Sequence, residues 1–217
     1  TRGPSGFSSG GVTGINLALD SEGGLIVAYV DLAHDGGGTV QRYDGTVWQV
    51  LGQEGFTNAN TYSLKLALDG NGAPYVAYHD WPNGHHTIVQ RWSGSDWELL
   101  DMSTFPAGSV EERDLVLDAD GYPMLAIRMA AFGNRMTVFR WDGAAWAVLG
   151  GGSISEGQAS VQDFVLDGDG MPVVLYWDQL SGQQPAMRWN GVAWEQLWTL
   201  DATAGAGHPT LAFDANG

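Results

Sequence analysis

Apolar residues in this chain come in short runs, and each run is closed by aspartate, asparagine or glycine. The clearest set is Ser63 to Leu68, Pro74 to His79, Thr87 to Trp92 and Asp96 to Leu100. Runs this short, rich in Val, Leu, Tyr and Trp, predict β-strands and not helices. Asp69-Gly70-Asn71-Gly72 separates the first pair, and Ser93-Gly94 separates the last pair. Glycine at such places supplies the positive φ of a tight hairpin. The unit therefore reads as four antiparallel strands, A to D in order.

The unit recurs. Segments of the Leu-Ala-Leu-Asp type end at Asp20, Asp69, Asp118, Asp167 and Asp214, in steps of 49, 49, 49 and 47 residues. A second marker, an aromatic residue, a turn and then Trp, gives Tyr43/Trp48, Trp92/Trp97, Trp141/Trp146 and Trp189/Trp194. Two markers in one register, with a period in the forties, are the signature of propeller blades. The expectation is an all-β fold, a β-propeller of four-stranded antiparallel blades with about 49 residues per repeat. There are four full repeats plus the first strand of a fifth, approximately 6–54, 55–103, 104–152, 153–200 and 201–217. They make a single propeller domain or a fragment of a larger one.

Blades stack face on face, so strand A should be apolar on both sides, as Leu17-Ala-Leu, Leu115-Val-Leu and Phe164-Val-Leu are. Asn216-Gly217 falls inside a fifth A to B hairpin, so strand A occurs five times against four for each of the others. Such an inventory is completed by a longer chain or by another copy. An open blade face tends to be covered, which predicts self-association.

The repeat resembles a family of bacterial tandem-repeat propellers whose units read Leu-Ala-Leu-Asp-x-x-Gly-x-Pro-Tyr-Val-Ala-Tyr, followed by Arg-Trp-x-Gly-x-x-Trp. Leu66 to Tyr78 and Arg91 to Trp97 carry the match. The resemblance implies the fold and no activity. Kelch-like and tectonin-like lectin propellers are more distant: the kelch glycine doublet has no fixed place in the repeat, and the Asp-box order of sialidases is absent.

Charge narrows the partners. Nine basic residues against 25 acidic ones give a net charge of −16, with Lys65 the single lysine, so no nucleic acid is expected as a ligand. No apolar run approaches the roughly 20 residues that span a bilayer, so no membrane insertion is expected. The first residues lack the apolar core of a signal peptide, which leaves an excised signal and an extracellular or cell-surface location compatible with the chain. Cysteine is absent, which removes disulfides and thiolate metal ligands. No motif implies a cofactor.

Residues present in every copy serve the unit's packing most economically. This applies to the Trp pairs, and to Arg42, Arg91, Arg140 and Arg188, for which Asp31, Asp80 and Asp178 at the ends of B strands are candidate ion-pair partners. The Asp-x-Asp-Gly turns at Asp118 and Asp167 look like calcium loops but lack the further oxygen ligands and terminal Glu. No metal site is expected from them.

Ligand-binding groups should lie where copies differ, on the B to C and D to A loops of one face. The most distinctive loop is Trp81-Pro-Asn-Gly-His-His-Thr87, where Trp81, Asn83, His85 and His86 could stack on and bond a sugar or a protein partner. Two histidines fall short of the three or four ligands that zinc needs. Trp177 and Trp198 also lie outside the repeated Trp slots.

Catalysis has weaker candidates, Asp114 and Asp163, in equivalent strand A slots shared with Asn16, Lys65 and Thr210. Neighbouring blades would bring these carboxylates towards a central channel, with Lys65 beside Asp114. There they serve either a glycosidase or lyase, or a structural ion pair. Three readings follow: a non-enzymatic recognition propeller binding protein or carbohydrate, a carbohydrate-active enzyme, and a structural self-assembling module.

Overall fold

The repeats form four separate sheets, each of four antiparallel strands in chain order. The first blade is β1 (Val12–Leu19), β2 (Leu25–Asp31), β3 (Gly37–Tyr43) and β4 (Trp48–Val50). The second is β5 (Thr61–Leu68), β6 (Pro74–Asp80), β7 (His86–Trp92) and β8 (Trp97–Leu99). The third is β9 (Val110–Leu117), β10 (Pro123–Met129), β11 (Arg135–Trp141) and β12 (Trp146–Val148). The fourth is β13 (Ala159–Leu166), β14 (Pro172–Asp178), β15 (Gln183–Trp189) and β16 (Trp194–Asp201). This is a propeller of four-stranded blades, seen in a computed structural model that describes residues 7–57, 61–80, 86–106, 110–201 and 209–213. The chain divides into two compact units of two blades each, Thr1–Met102 and Ser103–Gly217.

Within each unit, one blade buries its trailing face against the leading face of the next. In the first unit Ile26, Ala28, Val30 and Val40 of blade 1 meet Leu64, Val76 and Tyr78 of blade 2. In the second, Met124, Ala126, Met136 and Val138 of blade 3 meet Phe164, Val174 and Tyr176 of blade 4. Burial is most complete on strand B. Every residue of β6 is buried, as are all but one of β2, β10 and β14. Strand A departs from expectation in blade 1, where Leu17 and Leu19 are exposed while Leu115 and Leu117 of blade 3 are buried.

The repeated aromatics do more than pair within a hairpin. Tyr43/Trp48, Trp92/Trp97, Trp141/Trp146 and Trp189/Trp194 are in ring contact at 5.2, 5.5, 5.6 and 5.6 Å. The second Trp also reaches the preceding blade. Trp97 Nε1 donates to the Leu51 carbonyl at 2.9 Å, and Trp194 Nε1 to the Leu149 carbonyl at 3.1 Å. The residue after each leucine is a glycine at positive φ, Gly52 at 83° and Gly150 at 85°. A Cβ there would lie 3.1 Å from Trp97 Cδ1 and 3.0 Å from Trp194 Cδ1. Leu-Gly is thus the socket for the next blade's indole.

A further repeated residue escaped the sequence reading: Phe7, Phe56 and Phe105 stand 49 residues apart. Phe56 stacks on Trp97 at 4.4 Å and 6°. Phe105 packs on Phe139 and Trp146, and Phe7 on Tyr29 and Trp48. Ile154 holds the place in blade 4, packed against the core there. Before blades 2 and 4 the next residue of the linker also bonds backward through a hydroxyl. Gly38 N donates to Thr57 Oγ1 at 2.6 Å, and Met136 N to Ser155 Oγ at 2.8 Å.

Two other differences from expectation concern the chain's last part. Residues 209–213 form no strand. Strand β16 runs for eight residues where β4, β8 and β12 have three, pairing along the whole of β15.

None of the four arginines is seen on a B-strand aspartate: Arg42 donates to the Gly72 carbonyl at 2.6 Å, Arg91 bridges to Glu98 at 2.8 Å, and the other two pair with turn aspartates. Arg140 bridges to Asp118 at 2.6 Å, and Arg188 to Asp167 and, at 2.9 Å, Asp169, all in the A to B turn of the same blade. Burial alone would raise the Asp167 carboxyl, but Arg188 and the Met171 and Asp169 amides outweigh it and hold the group below its usual range. Asp118 Oδ1 and Asp167 Oδ1 each accept two turn amides, so these acidic turns close on their own backbone and an arginine.

On the leading face of blade 1, Tyr29 is fully buried beneath Phe7, and its hydroxyl accepts from Gln41 Nε2 at 2.7 Å. Burial first, opposed by the Gln41 hydrogen bond and reinforced by the Asp31 and Glu54 carboxylates, pushes its pKa from 10.0 up to about 12. The unfolded chain releases this proton first, so Tyr29 stabilises fully below pH 10.0 and its contribution is lost as pH rises to about 12. Denaturant titrations across this window should show that loss, and Tyr29→Phe should reduce it. A second expectation concerns the indole socket. Gly151, at φ 75° with open space around it, serves as the control for Gly150. Gly151→Ala should cost about 1–2 kcal/mol for the left-handed backbone alone. Gly150→Ala should cost about 1–3 kcal/mol more, for crowding Trp194, measured by chemical denaturation.

Candidate functional site

The strand A slots named as catalytic candidates are placed by the strand's own irregularity. In blades 1, 2 and 4 the A to B ladder shifts register just before the slot, between Thr13 and Asn16, Tyr62 and Lys65, and Val161 and Asp163. A bulge re-aims the side chain that follows it. In blades 1 and 4 the re-aimed group reaches main chain further along, in β5 and in the segment 209–213. Asn16 Nδ2 donates to the Leu64 carbonyl at 2.7 Å, and Asp163 Oδ2 accepts from Leu211 N. Strand A is the inner edge of its blade, so its edge-facing backbone groups need partners.

Asp163 Oδ1 accepts from Phe164 N at 3.0 Å, and Asp114 Oδ1 from Leu115 N at 3.0 Å. Both oxygens of Asp163 therefore hold amides. Asp114 and Asp163 occupy matching places opposite Ala126 and Leu175. Lys65 lies in the first unit and the two aspartates in the second.

At the other end of the blades, the B-strand aspartates shape the B to C loops. Asp31 is fully buried. Its Oδ1 caps a 3-10 turn at Leu32–His34 by accepting from Ala33 N at 3.0 Å, and its Oδ2 lies 2.9 Å from His34 Nδ1. The other nitrogen of His34 lies 3.4 Å from Glu54 Oε2, so a half-exposed imidazole links the B to C loop to the D to A linker. Thr39 Oγ1 completes the join by accepting from Gly55 N at 2.8 Å. Asp178 plays the same capping part in blade 4, accepting from Leu180 N and Ser181 N at 2.8 and 3.3 Å. Met129 takes this place in blade 3, where a 3-10 turn at Ala130–Phe132 forms without a side-chain cap.

Of the four residues expected to bind ligand, His86 is described. It opens β7, exposed and directly opposite the buried Asp80 of β6. Trp81, Asn83 and His85 lie outside the described residues. Trp177 stands on β14 opposite Ser160, and Trp198 on β16 opposite Ala186, 40% exposed. Among the described residues no group of three or more His, Asp or Glu side chains converges as a metal site would require.

The loop end therefore presents an imidazole held by carboxylates, His34 in blade 1, and an exposed histidine opposite Asp80, His86 in blade 2. An exposed imidazole such as that of His86 can donate to or accept from a hydroxyl-bearing ligand. The sequence reading missed His34 and Glu54. Their signal was weak, because neither recurs and they lie 20 residues apart.

No protein-family model matches the chain. No curated protein matches it either. Solved structures do. A fungal lectin from Aleuria aurantia, described as a six-bladed β-propeller with a novel mode of fucose recognition, superposes with a TM-score of 0.61 at 14% identity, covering 84% of this chain and 61% of that one. The SapL1 lectin, solved with α-methyl fucoside, gives 0.59 at 16% identity, covering 86% and 63%. A polysaccharide lyase, the PL25 ulvan lyase, gives 0.57 at 14% identity, covering 87% and 56%. The chain spans less than two thirds of each of these proteins, and at such identities the likeness establishes the propeller fold.

Proposed function

We propose that this chain is a non-enzymatic recognition propeller whose ligand is a carbohydrate, bound at the B to C and D to A loop face. The observation that carries the reading is His34 on that face, a half-exposed imidazole held against the buried Asp31, with the exposed His86 opposite Asp80 on blade 2. Sugar recognition uses groups of this kind, fixed in place, together with an aromatic platform on which the apolar side of the ring stacks. Trp81, Asn83 and His85 supply the platform and the remaining polar contacts in this reading. The fold shared with fucose-binding lectins supports it by analogy.

The same fold occurs in a polysaccharide lyase, but proton transfer needs carboxylates free to exchange protons with substrate. The two backbone bonds of Asp163 support a role in joining main chains instead.

A glycan array is the direct test. A subset of glycans should be retained by the wild-type protein, and Trp81→Ala and His86→Ala should each weaken that binding at least about tenfold, in the range of a contact at the centre of an interface. Binding unchanged in both variants removes the named site. Glycoside or polysaccharide turnover that Asp114→Asn abolishes would replace the recognition reading with a catalytic one.

A further inference from the structure

Each strand C opens at the same register, and the residue that stands there differs from blade to blade. It lies directly opposite the last residue of strand B: Gly37 opposite Asp31, His86 opposite Asp80, Arg135 opposite Met129 and Gln183 opposite Asp178. In blade 1 the place is closed. Gly37 is buried, and a Cβ on it would lie 2.9 Å from Gly55 Cα of the linker. In the other three blades the place is exposed and polar, and none of His86, Arg135 and Gln183 has a side-chain partner among the described residues.

Arg135 stands apart within this set. The arginines of the repeated slot are all engaged, Arg42 with the Gly72 carbonyl, Arg91 with Glu98, Arg140 with Asp118 and Arg188 with Asp167. An arginine that served the sheet would belong opposite an aspartate, where a cross-strand pair of opposite charge is favourable. The chain does the reverse. Aspartate ends strand B in blades 1, 2 and 4, where the opposite place holds Gly, His or Gln. Arginine fills the place only in blade 3, where strand B ends in the buried Met129. The fold thus leaves the Arg135 charge unused at the loop end, in a chain of net charge −16.

The shape of a guanidinium sets what it takes. Its planar fork matches the two oxygens of a carboxylate and holds them by parallel hydrogen bonds. In the same B to C loop Phe132 is half-buried and rests edge-on against Phe139 at 5.8 Å. The loop is closed by Gly133 N on the Ala130 carbonyl at 2.9 Å and Asn134 N on the Met129 carbonyl at 3.0 Å, so Arg135 leaves a fixed backbone. The chain's net charge repels a polyanion. A single carboxylate on an otherwise neutral sugar is another matter, because charges beyond about 8 Å are largely screened at physiological salt.

We propose that the loop end of blade 3 is a subsite for a carboxylate-bearing sugar, a uronate, and that Arg135 is the residue that reads the carboxylate. The inference rests on the reading of this face as a carbohydrate surface. It adds a class of sugar that a histidine or glutamine in the same place does not select.

The test is binding of glucuronate- and galacturonate-terminated disaccharides to the intact chain, each compared with its carboxyl-reduced counterpart. At least one uronate should bind about tenfold or more tightly than its reduced form, the worth of a hydrogen bond to a charged group. Arg135→Gln should remove that advantage and leave binding of the reduced sugar unchanged. Arg135→Lys should keep part of it, since the charge remains and the fork does not. Added salt should weaken the uronate more than the reduced form. Arg135 is exposed, and an unchanged unfolding transition confirms the fold of each variant.

A panel with no uronate preferred over its reduced form overturns the inference, as does a preference that Arg135→Gln leaves intact. A sulfated disaccharide that depends on Arg135 where no uronate does overturns the carboxylate assignment. If neutral glycans are lost with Trp81→Ala or His86→Ala while no uronate depends on Arg135, the recognition surface stands and this subsite falls. If uronates depend on Arg135 while no glycan responds to Trp81→Ala or His86→Ala, the subsite stands and the site around Trp81 falls.

Discussion

A four-stranded blade has two apolar faces and no means of burying either by itself. Everything regular in this chain answers that constraint. Strand B, in the middle of each sheet, is buried almost throughout. The linker between blades brings Phe56 or Ile154 and a hydroxyl, Thr57 or Ser155, against the core and the preceding strand C. Above all, the indole of strand D reaches back to the Leu51 or Leu149 carbonyl over a glycine that leaves it room. One contact thereby joins hydrophobic burial with a satisfied polar group.

The repeated polar residues are absorbed by the same task. Arg140 and Arg188 close A to B turns with Asp118 and Asp167. Asp31 and Asp178 cap the loops at the other end. Asn16 and Asp163, re-aimed by a bulge, bond the main chain of β5 and of residues 209–213. A repeat protein builds its scaffold from what recurs, which leaves binding to what does not. His34 is an example: held between Asp31 and Glu54, it has no counterpart in the repeat.

Blade 1 makes the same point from the other side. Its leading face follows the register of blade 2: Tyr29 accepts from Gln41 at 2.7 Å where Tyr78 donates to Gln90 at 3.2 Å. Phe7 covers the outer part of that face as Phe56 covers Trp97. The inner part, along β1, stays open. Leucines of identical register are thus core in one blade and surface in another. Burial belongs to the neighbour as much as to the residue.

The sequence alone determined the strands, the repeat, the propeller class and the Trp pairs, because these depend on alternation, turn residues and spacing, all local or periodic. The regular step of Phe7, Phe56 and Phe105 was equally legible and was missed among the many other aromatics. Tertiary structure decided the partners. Arg140 reaches Asp118 and not a B-strand aspartate, and the carboxylate of Asp163 holds the amide of Leu211, 48 residues on. It also decided that residues 209–213 form no strand and that Ile15, Leu17 and Leu19 remain exposed. The physical reason is that a hydrogen-bond partner or a covering face comes from another blade, and spacing along one chain gives the place of a residue within its blade but not what stands opposite.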